Sequence, residues 1–178
     1  MAVPGEEEEA DPYIAEARVL RAYAYFHLVR LFGGVPLILD EIKSFDDRDL
    51  IFAPRATAAE VYDAILADLA FAEPILPDSR GGAELGRVSA GTVKALMGKV
   101  YLTMAGKPLN KTENYQKAVE KLSELVGAAN EEKYDMELLP DFADVFASQN
   151  ERNREIVLSF GYFVNSSNQN ADILPFNL

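Results

Sequence analysis

Residues 15 to 36, AEARVLRAYAYFHLVRLFGGVP, carry apolar side chains on almost every side of a helical projection, with Arg18, Arg21 and Arg30 interrupting them. A helix that is apolar nearly all round is buried by other elements. This one therefore needs partner helices on several sides. Asp11 followed by Pro12 reads as an N-cap with proline at the first helical position, and the acidic run before it suits the positive helix end. The pattern predicts helix one from about Pro12 to Leu31, ending at Gly33-Gly34.

Residues 35 to 56 lose the helical period: a short extended piece at Val35–Leu39 leads into an acidic loop, Asp40 to Asp49. Thr57-Ala-Ala-Glu60 is a capping box, so helix two starts there. Val61, Ile65, Leu66 and Leu69 keep its spacing, and it stops before Pro74. A turn rich in Pro, Gly and Asp spans residues 77 to 86. Helix three follows from about Ser89 to Met104, and helix four from Asn114 to about Val126. Next come a loop with Tyr134, a short helix around Asp141–Ala147, and a strand expected over Glu155–Phe163. The last fifteen residues, rich in Asn, end without a clear element.

The helical segments repeat faintly. AYAYFHLVRLFG aligns with ALMGKVYLTMAG, placing Ala22 on Ala95 and Gly33 on Gly106. VYDAILADL aligns with NYQKAVEKL, placing Tyr62 on Tyr115 and Leu69 on Leu122. Leu96-Met-Gly98, Tyr101 and Ala118 come close to the small-and-aromatic pattern of a tetratricopeptide repeat. Gly98 and Ala118 would let two antiparallel helices approach, with Tyr101 filling the groove. The linkers are longer than a regular repeat allows, so the reading is one of irregular helical hairpins.

At 178 residues, 49% of them apolar, the chain suits one globular domain, residues 1–178, with a real core. Its net charge of −12 disfavours nucleic acid and anionic membrane surfaces as partners. The absence of cysteine excludes disulfides, thiol catalysis and thiolate metal sites. No run of about 18 apolar residues could cross a membrane. The start, MAVPGEEEEAD, lacks the basic opening and apolar core of an export signal. Composition leaves a cytosolic chain and a processed or trimmed piece equally open.

Candidate chemistry is sparse. Gly81 to Ser89, GGAELGRVS, has a phosphate loop's Gly81–Gly86 spacing, but Gly86-Arg87-Val88 replaces the required Gly-Lys-Ser/Thr. A turn before a capped helix is the better reading. His27, the single histidine, has no Cys or second His to build a zinc site with, and reads as a core or interface residue. Asp40 to Asp49 lacks the alternating ligands and central glycine of an EF-hand loop. Asn110-Lys-Thr112 and Asn165-Ser-Ser167 match the glycosylation pattern at the level expected by chance. No metal or cofactor is implied.

Sugar recognition stacks flat rings on pyranose faces while Asn, Asp and Arg read the hydroxyls. Phe160, Tyr162, Asn165 and Asn168 offer such a mixture in and after the expected strand, with Phe163 and Asn170 beside them. Alternation would put Phe160 and Tyr162 on one face. A packed strand followed by a tail explains the same residues without a ligand.

Four stretches in order resemble the SusD/RagB family of Bacteroidetes surface glycan-binding lipoproteins. They are AEARVLRAYAYFHLVRLFGGVPLIL, APRATAAEVYDAILADLAFAEPILP, GRVSAGTVKALMGKVYLTMAGKP with NYQKAVEKLSELV, and YDMELLPDFADVFASQNERNREIVLSFGY. In the last, Met136 stands where the family usually has Leu. The resemblance implies an all-α fold of tetratricopeptide-like hairpins with long irregular loops and at most a short strand pair. It implies no catalysis and no cofactor. It further implies a lipoprotein on the outer membrane, exposed at the cell surface, that passes oligosaccharide to a SusC-like TonB-dependent transporter. The lipidated cysteine, export signal and long C-terminal loop region of that family are not in this sequence, which reads as a central fragment holding the scaffold.

No ligand contact transfers from the matched motifs, because they are scaffold motifs. Arg18, Arg21 and Arg87 within them read as structural, bonding helix ends or acids between hairpins. Two further functions stay open: a tetratricopeptide-like protein-interaction scaffold with no sugar site, and hydrolysis by a carboxylate pair, which needs two acids about 5–10 Å apart in one cleft.

Overall fold

The structure is a computed structural model that describes residues 6 to 159 except 85 and 152, with backbone alone at 6 to 11 and 83. Six α-helices and three short 3-10 turns make up the described part: α1 (Glu6–Phe32), α2 (Arg48–Ile51), α3 (Ala58–Ala72), α4 (Ala90–Ala105), α5 (Asn114–Ser123) and α6 (Ala128–Tyr134). Among the described residues there is no strand, only one antiparallel bridge between Pro36 and Arg55. The fold is all-α.

Two hairpins form the scaffold. α1 lies along α3, α4 lies along α5, and α3 joins the pairs by packing on α4. The core runs through Val19 and Phe26 of α1, Ile65 and Leu69 of α3, and Val93, Leu96 and Val100 of α4, all at most 1% exposed. Burying each such side chain contributes about 1.5–3 kcal/mol. The ring of Phe26 meets Tyr62 edge-on, with centroids 6.4 Å apart.

Local signals place the helix ends. Thr57 and Glu60 close the expected capping box at α3, with the Glu60 backbone N–H donating to Thr57 Oγ1 at 3.3 Å. Ser89 and Thr92 form a second box at α4. α1 ends where Gly33 takes a φ of 72° and its N–H donates to Val29 O at 2.9 Å. The last carbonyls of α1 are then met by one guanidinium, as Arg55 donates to Phe32 O and, at 2.5 Å, to Gly34 O. Arg55 is thus the C-terminal cap of a helix more than twenty residues before it.

The α4–α5 pair packs as the small residues foretell. A Cβ placed on Gly98 would lie 2.4 Å from Leu122 Cγ, so only glycine admits α5 at this spacing. Ala118 is buried and Tyr101 packs part-buried against the core. The repeat is less regular than its alignment: Tyr62 is 3% exposed, whereas Tyr115 is 49% exposed.

Four expectations change. Helix one does not start at Pro12 but runs back to Glu6 with Pro12 inside it. The Glu-rich segment before the proline favours helix and carries negative charge where the helix dipole welcomes it. Residues 48 to 51 and 128 to 134, read as loop, are the short helices α2 and α6, and α6 ends on Asp135 in the left-handed region at φ 54°. Helix four stops at Ser123 rather than near Val126. Within the expected strand Glu155–Phe163, residues 155 to 159 form turns and irregular chain, and among the described residues none pairs with them in a ladder. Residues 160 to 163 lie outside the described residues.

Candidate functional site

The site is built at the start of α4. The turn before this helix folds back so that Ala90 N–H donates to Pro77 O at 2.8 Å, which swings Arg80 over the helix N-terminus. Arg80 is held there on three sides: its Nε donates to Val88 O at 3.2 Å, Nη1 to Glu84 at 2.6 Å, and Nη2 to Glu16 of α1 at 2.7 Å. Arg87 closes the same cluster, with Nη2 2.5 Å from Glu16 and Nη1 2.7 Å from Glu84. Hydrogen bonds from Arg80 hold the Glu84 carboxyl below the usual range, and the bond to Glu16 pushes the Arg87 guanidinium up.

The opposite wall comes from the other end of the chain. Thr92 Oγ1 donates to Val157 O at 3.0 Å and draws residues 153 to 159 across α4. Asn153, 8% exposed, donates its side-chain amide to Asn150 O at 2.9 Å and Val145 O at 3.2 Å. Arg154 pairs with Asp135 at 2.7 Å and Glu137 at 2.8 Å. Between the walls lies a cleft of about 80 Å³ edged by Arg80, Arg87, Arg154, Ser89, Thr92 and Asn153. It is far below the ~300–1,000 Å³ of pockets that enclose a small molecule.

This arrangement presents oriented hydrogen-bond donors, the groups that read hydroxyls, in a rigid shallow cleft. The described carboxyls with a resolved displacement, Glu60, Glu73, Glu84 and Glu124, are all held below their ordinary range. Among the described residues no group of three or more His, Cys, Asp or Glu side chains could hold a metal ion. None of the described helices is long and apolar enough to cross a membrane.

Phe160, Tyr162, Asn165 and Asn168 lie outside the described residues, as do Phe163 and Asn170. The described chain reaches Ser159, which edges the cleft. The segment resembling a phosphate loop is the turn and capped helix read from its sequence, with a 3-10 turn at Gly82–Glu84 and Ser89 as the cap. In the acidic loop, Asp47 accepts from the N–H groups of Lys43 and Ser44 at 2.7 and 2.9 Å, a local turn that ends in α2. Burial lowers the His27 imidazole below its ordinary value, as expected of a packed histidine.

The structural reading of the arginines holds. Arg21 grips Asp68 with Nε and Nη2 at 2.8 and 2.7 Å and joins α1 to α3. Arg18 lies 3.9 Å from the same carboxylate and stacks over Phe71 at 3.9 Å. Arg87 joins the α4 approach to α1 through Glu16. Residue reading missed Asp68, although the signal is present: it falls between Ile65 and Leu69 on the apolar stripe of α3, where an acid is buried only if paired. It also missed the cross-link of Lys94 and Lys121 to Glu73 and Glu124, which ties α3, α4 and the end of α5.

Comparison with known proteins gives one consistent answer. Residues 3–102 match the profile of a SusD-like family described as starch-binding, associating with outer membrane. SusD-like protein P2 of Formosa agariphila is 32% identical over 170 residues, covering 94% of this chain and 31% of that protein. A SusD homolog from Bacteroides thetaiotaomicron superposes with a TM-score of 0.74 at 26% identity, over 94% of this chain and 31% of the other. A structure titled laminarin binding SusD-like protein superposes at 0.71 with 31% identity, over 88% of this chain and 32% of the other. The chain thus spans about a third of the length of these relatives.

Proposed function

The chain belongs to the SusD-like family, and on that premise we propose that it is a non-catalytic carbohydrate-binding unit of the bacterial cell surface. The observation that carries the proposal is the match of its whole described scaffold to SusD-like proteins, one of them named for binding laminarin. The family description as starch-binding and associated with the outer membrane supports the surface location.

In this reading the bound oligosaccharide is handed to a SusC-like TonB-dependent transporter in the outer membrane. Phe160, Tyr162, Asn165 and Asn168 are proposed as ring platform and hydroxyl readers. The guanidinium groups of Arg80 and Arg87, fixed by Glu16 and Glu84, would supply further donors from the cleft.

A second reading, a tetratricopeptide-like protein scaffold without a sugar site, is favoured by the cleft volume of about 80 Å³, which encloses no sugar ring. Native affinity electrophoresis through gels containing laminarin, starch and other polysaccharides separates the two. Retardation by one glycan, relieved by Tyr162→Ala, supports carbohydrate binding. Unchanged mobility in every gel removes the sugar site from this chain and leaves the scaffold.

A further inference from the structure

Charge is spread unevenly along this chain. Residues 94 to 121, which make up most of the α4–α5 hairpin, hold six lysines and two acids, while the rest of the chain holds 11 basic and 27 acidic residues. The hairpin is therefore a positive surface on a molecule of net charge −12. Two of its lysines are engaged inside the fold, since Lys94 and Lys121 both bind Glu73 and Glu124. Lys99, Lys107, Lys111 and Lys117 are not: among the described residues none of them pairs with a carboxylate. The two acids of the segment leave them uncompensated. Glu120 takes a hydrogen bond from Gln116 at 3.0 Å, and Glu113 stands just before α5 without a lysine partner among the described residues.

The fold gathers these four charges at one end of the hairpin. The loop between α4 and α5 is closed by Asn110 N–H on Gly106 O at 2.7 Å and Lys111 N–H on Met104 O at 3.0 Å, which sets Lys107 and Lys111 at the tip. Lys99 lies only about 9 Å back along α4 from Ala105, at 1.5 Å per residue. Lys117 stands on α5 with its Nζ 5.7 Å from the centre of the Tyr101 ring. Arg30, laid over the Phe26 ring at 4.8 Å, carries the positive field onto the end of α1. Burial and then the charges of Arg30 and Lys99 lower the His27 imidazole, so both cations reach one ring.

Like charges held this close repel one another, and an anion relieves that repulsion. The segment holds no arginine, hence no planar fork that selects one anionic group by its geometry; ammonium groups are point charges that answer charge density. Four spaced point charges suit a polymer with repeated negative groups better than one small anion. Among them lie a ring and amides: Tyr115 and Val119, 49% and 59% exposed, are one helical turn apart, with Gln116 on the same helix and Asn110 in the loop. A tyrosine ring stacks on a pyranose face and amides read hydroxyls. A membrane or a nucleic acid presents its anions over a wider front, which the 27 acids elsewhere oppose. A single polysaccharide strand needs only the hairpin.

We propose that the α4–α5 hairpin binds an acidic polysaccharide, one bearing carboxylate or sulfate groups along its length, through Lys99, Lys107, Lys111 and Lys117. The proposal takes from the function proposed above only that the ligand is a carbohydrate. Its surface lies at the opposite end of α4 from the cleft edged by Arg80 and Arg87.

Fluorescence anisotropy of end-labelled alginate oligosaccharides, which carry carboxylates, and of carrageenan oligosaccharides, which carry sulfates, tests it on the full chain. At least one should bind, and its affinity should fall at least about fivefold between about 50 and 200 mM salt. Lys99→Gln, Lys107→Gln, Lys111→Gln and Lys117→Gln together should weaken binding at least about tenfold and flatten the salt dependence, while Lys43→Gln with Arg48→Gln on the acidic loop leaves it within about twofold. Circular dichroism checks the fold; should the fourfold variant unfold, Lys107→Gln with Lys117→Gln, both exposed, should cost about threefold. No binding to either acidic glycan, or binding that ignores the substitutions, overturns the proposal. Binding of anionic vesicles or an oligonucleotide through these lysines without glycan binding overturns it too. Retardation by laminarin or starch with both acidic glycans unbound removes this site and leaves the carbohydrate function; acidic glycan binding without any such retardation supports this site and removes the neutral one.

Discussion

Gly34→Ala isolates the join between the two halves of the first hairpin. A Cβ built on Gly34 lies 2.0 Å from the carbonyl oxygen of Ala56 and 3.1 Å from its carbon, both backbone atoms. Contact between such atoms needs more than 3 Å, so about 1 Å or more of main-chain movement is required. That movement is resisted locally. Ala56 N–H donates to Val35 O at 3.1 Å, Arg55 donates to Gly34 O at 2.5 Å, and the Thr57 capping box starts at the next residue.

Overpacking of this kind costs typically 1–3 kcal/mol, and a rigid backbone neighbour puts the case at the upper end, about 3 kcal/mol. With a urea m-value of about 2 kcal/mol/M, the midpoint should fall by about 1.5 M, followed by circular dichroism at 222 nm. Gly81→Ala is the control, since a Cβ there meets nothing within 4 Å. A Gly34→Ala midpoint within about 0.3 M of the parent, with Gly81→Ala behaving the same, would refute the reasoning, because no close approach could then exist at that join.

Two further perturbations probe the ion pairs. Asp68→Ala leaves the Arg21 guanidinium without its carboxylate; side chains 29% and 6% exposed place the pair in partial burial, so the expected loss is about 2–3 kcal/mol, below the 3–5 of a fully buried pair. Urea unfolding should show it, and Arg21→Met with Asp68→Leu should recover more than half; no recovery would mean the pair does more than neutralise itself. Burial pushes the Glu73 carboxyl up, but hydrogen bonds from Lys94 and Lys121 outweigh this and hold it below its ordinary 4.5. A depressed folded value stabilises the fold above the unfolded pKa and loses that stability as pH falls through the folded one. Thermal midpoints should therefore drop between about pH 5 and pH 3, and Glu73→Gln should flatten that slope. Lys94 and Lys121, both raised by these carboxylates against the effect of burial, contribute no loss until pH rises beyond the ordinary lysine range. A slope unchanged by Glu73→Gln would remove the cross-link from the account.

Helix positions were legible because their causes are local. Thr57 with Glu60, Ser89 with Thr92, and Gly33 after Phe32 act over three or four residues of chain, so the sequence displays them directly. The close approach of α4 and α5 was legible for a related reason, since only a small residue such as Gly98 makes it possible. Two short helices went unseen because α2 and α6, of 4 and 7 residues, are too brief to show a period. Residues 155 to 159 are irregular although Ile156, Val157 and Leu158 favour extended chain, since a strand also needs a partner that no local pattern reveals.

By itself, then, the sequence determined the all-α class, the capped starts of α3 and α4, the glycine joins and the family. Tertiary structure decided which faces meet. Asp68 finds Arg21 across 47 residues of chain, and Thr92 finds Val157 across 65. Only those contacts make the acid a buried anchor and the hydroxyl one wall of a cleft. The same holds for α1: its pattern demands burial all round, and only the packed hairpins show that one side is satisfied while the other still faces outward. Periodicity records how much apolar surface a helix must hide, whereas the identity of what hides it depends on chain that arrives from elsewhere in the fold.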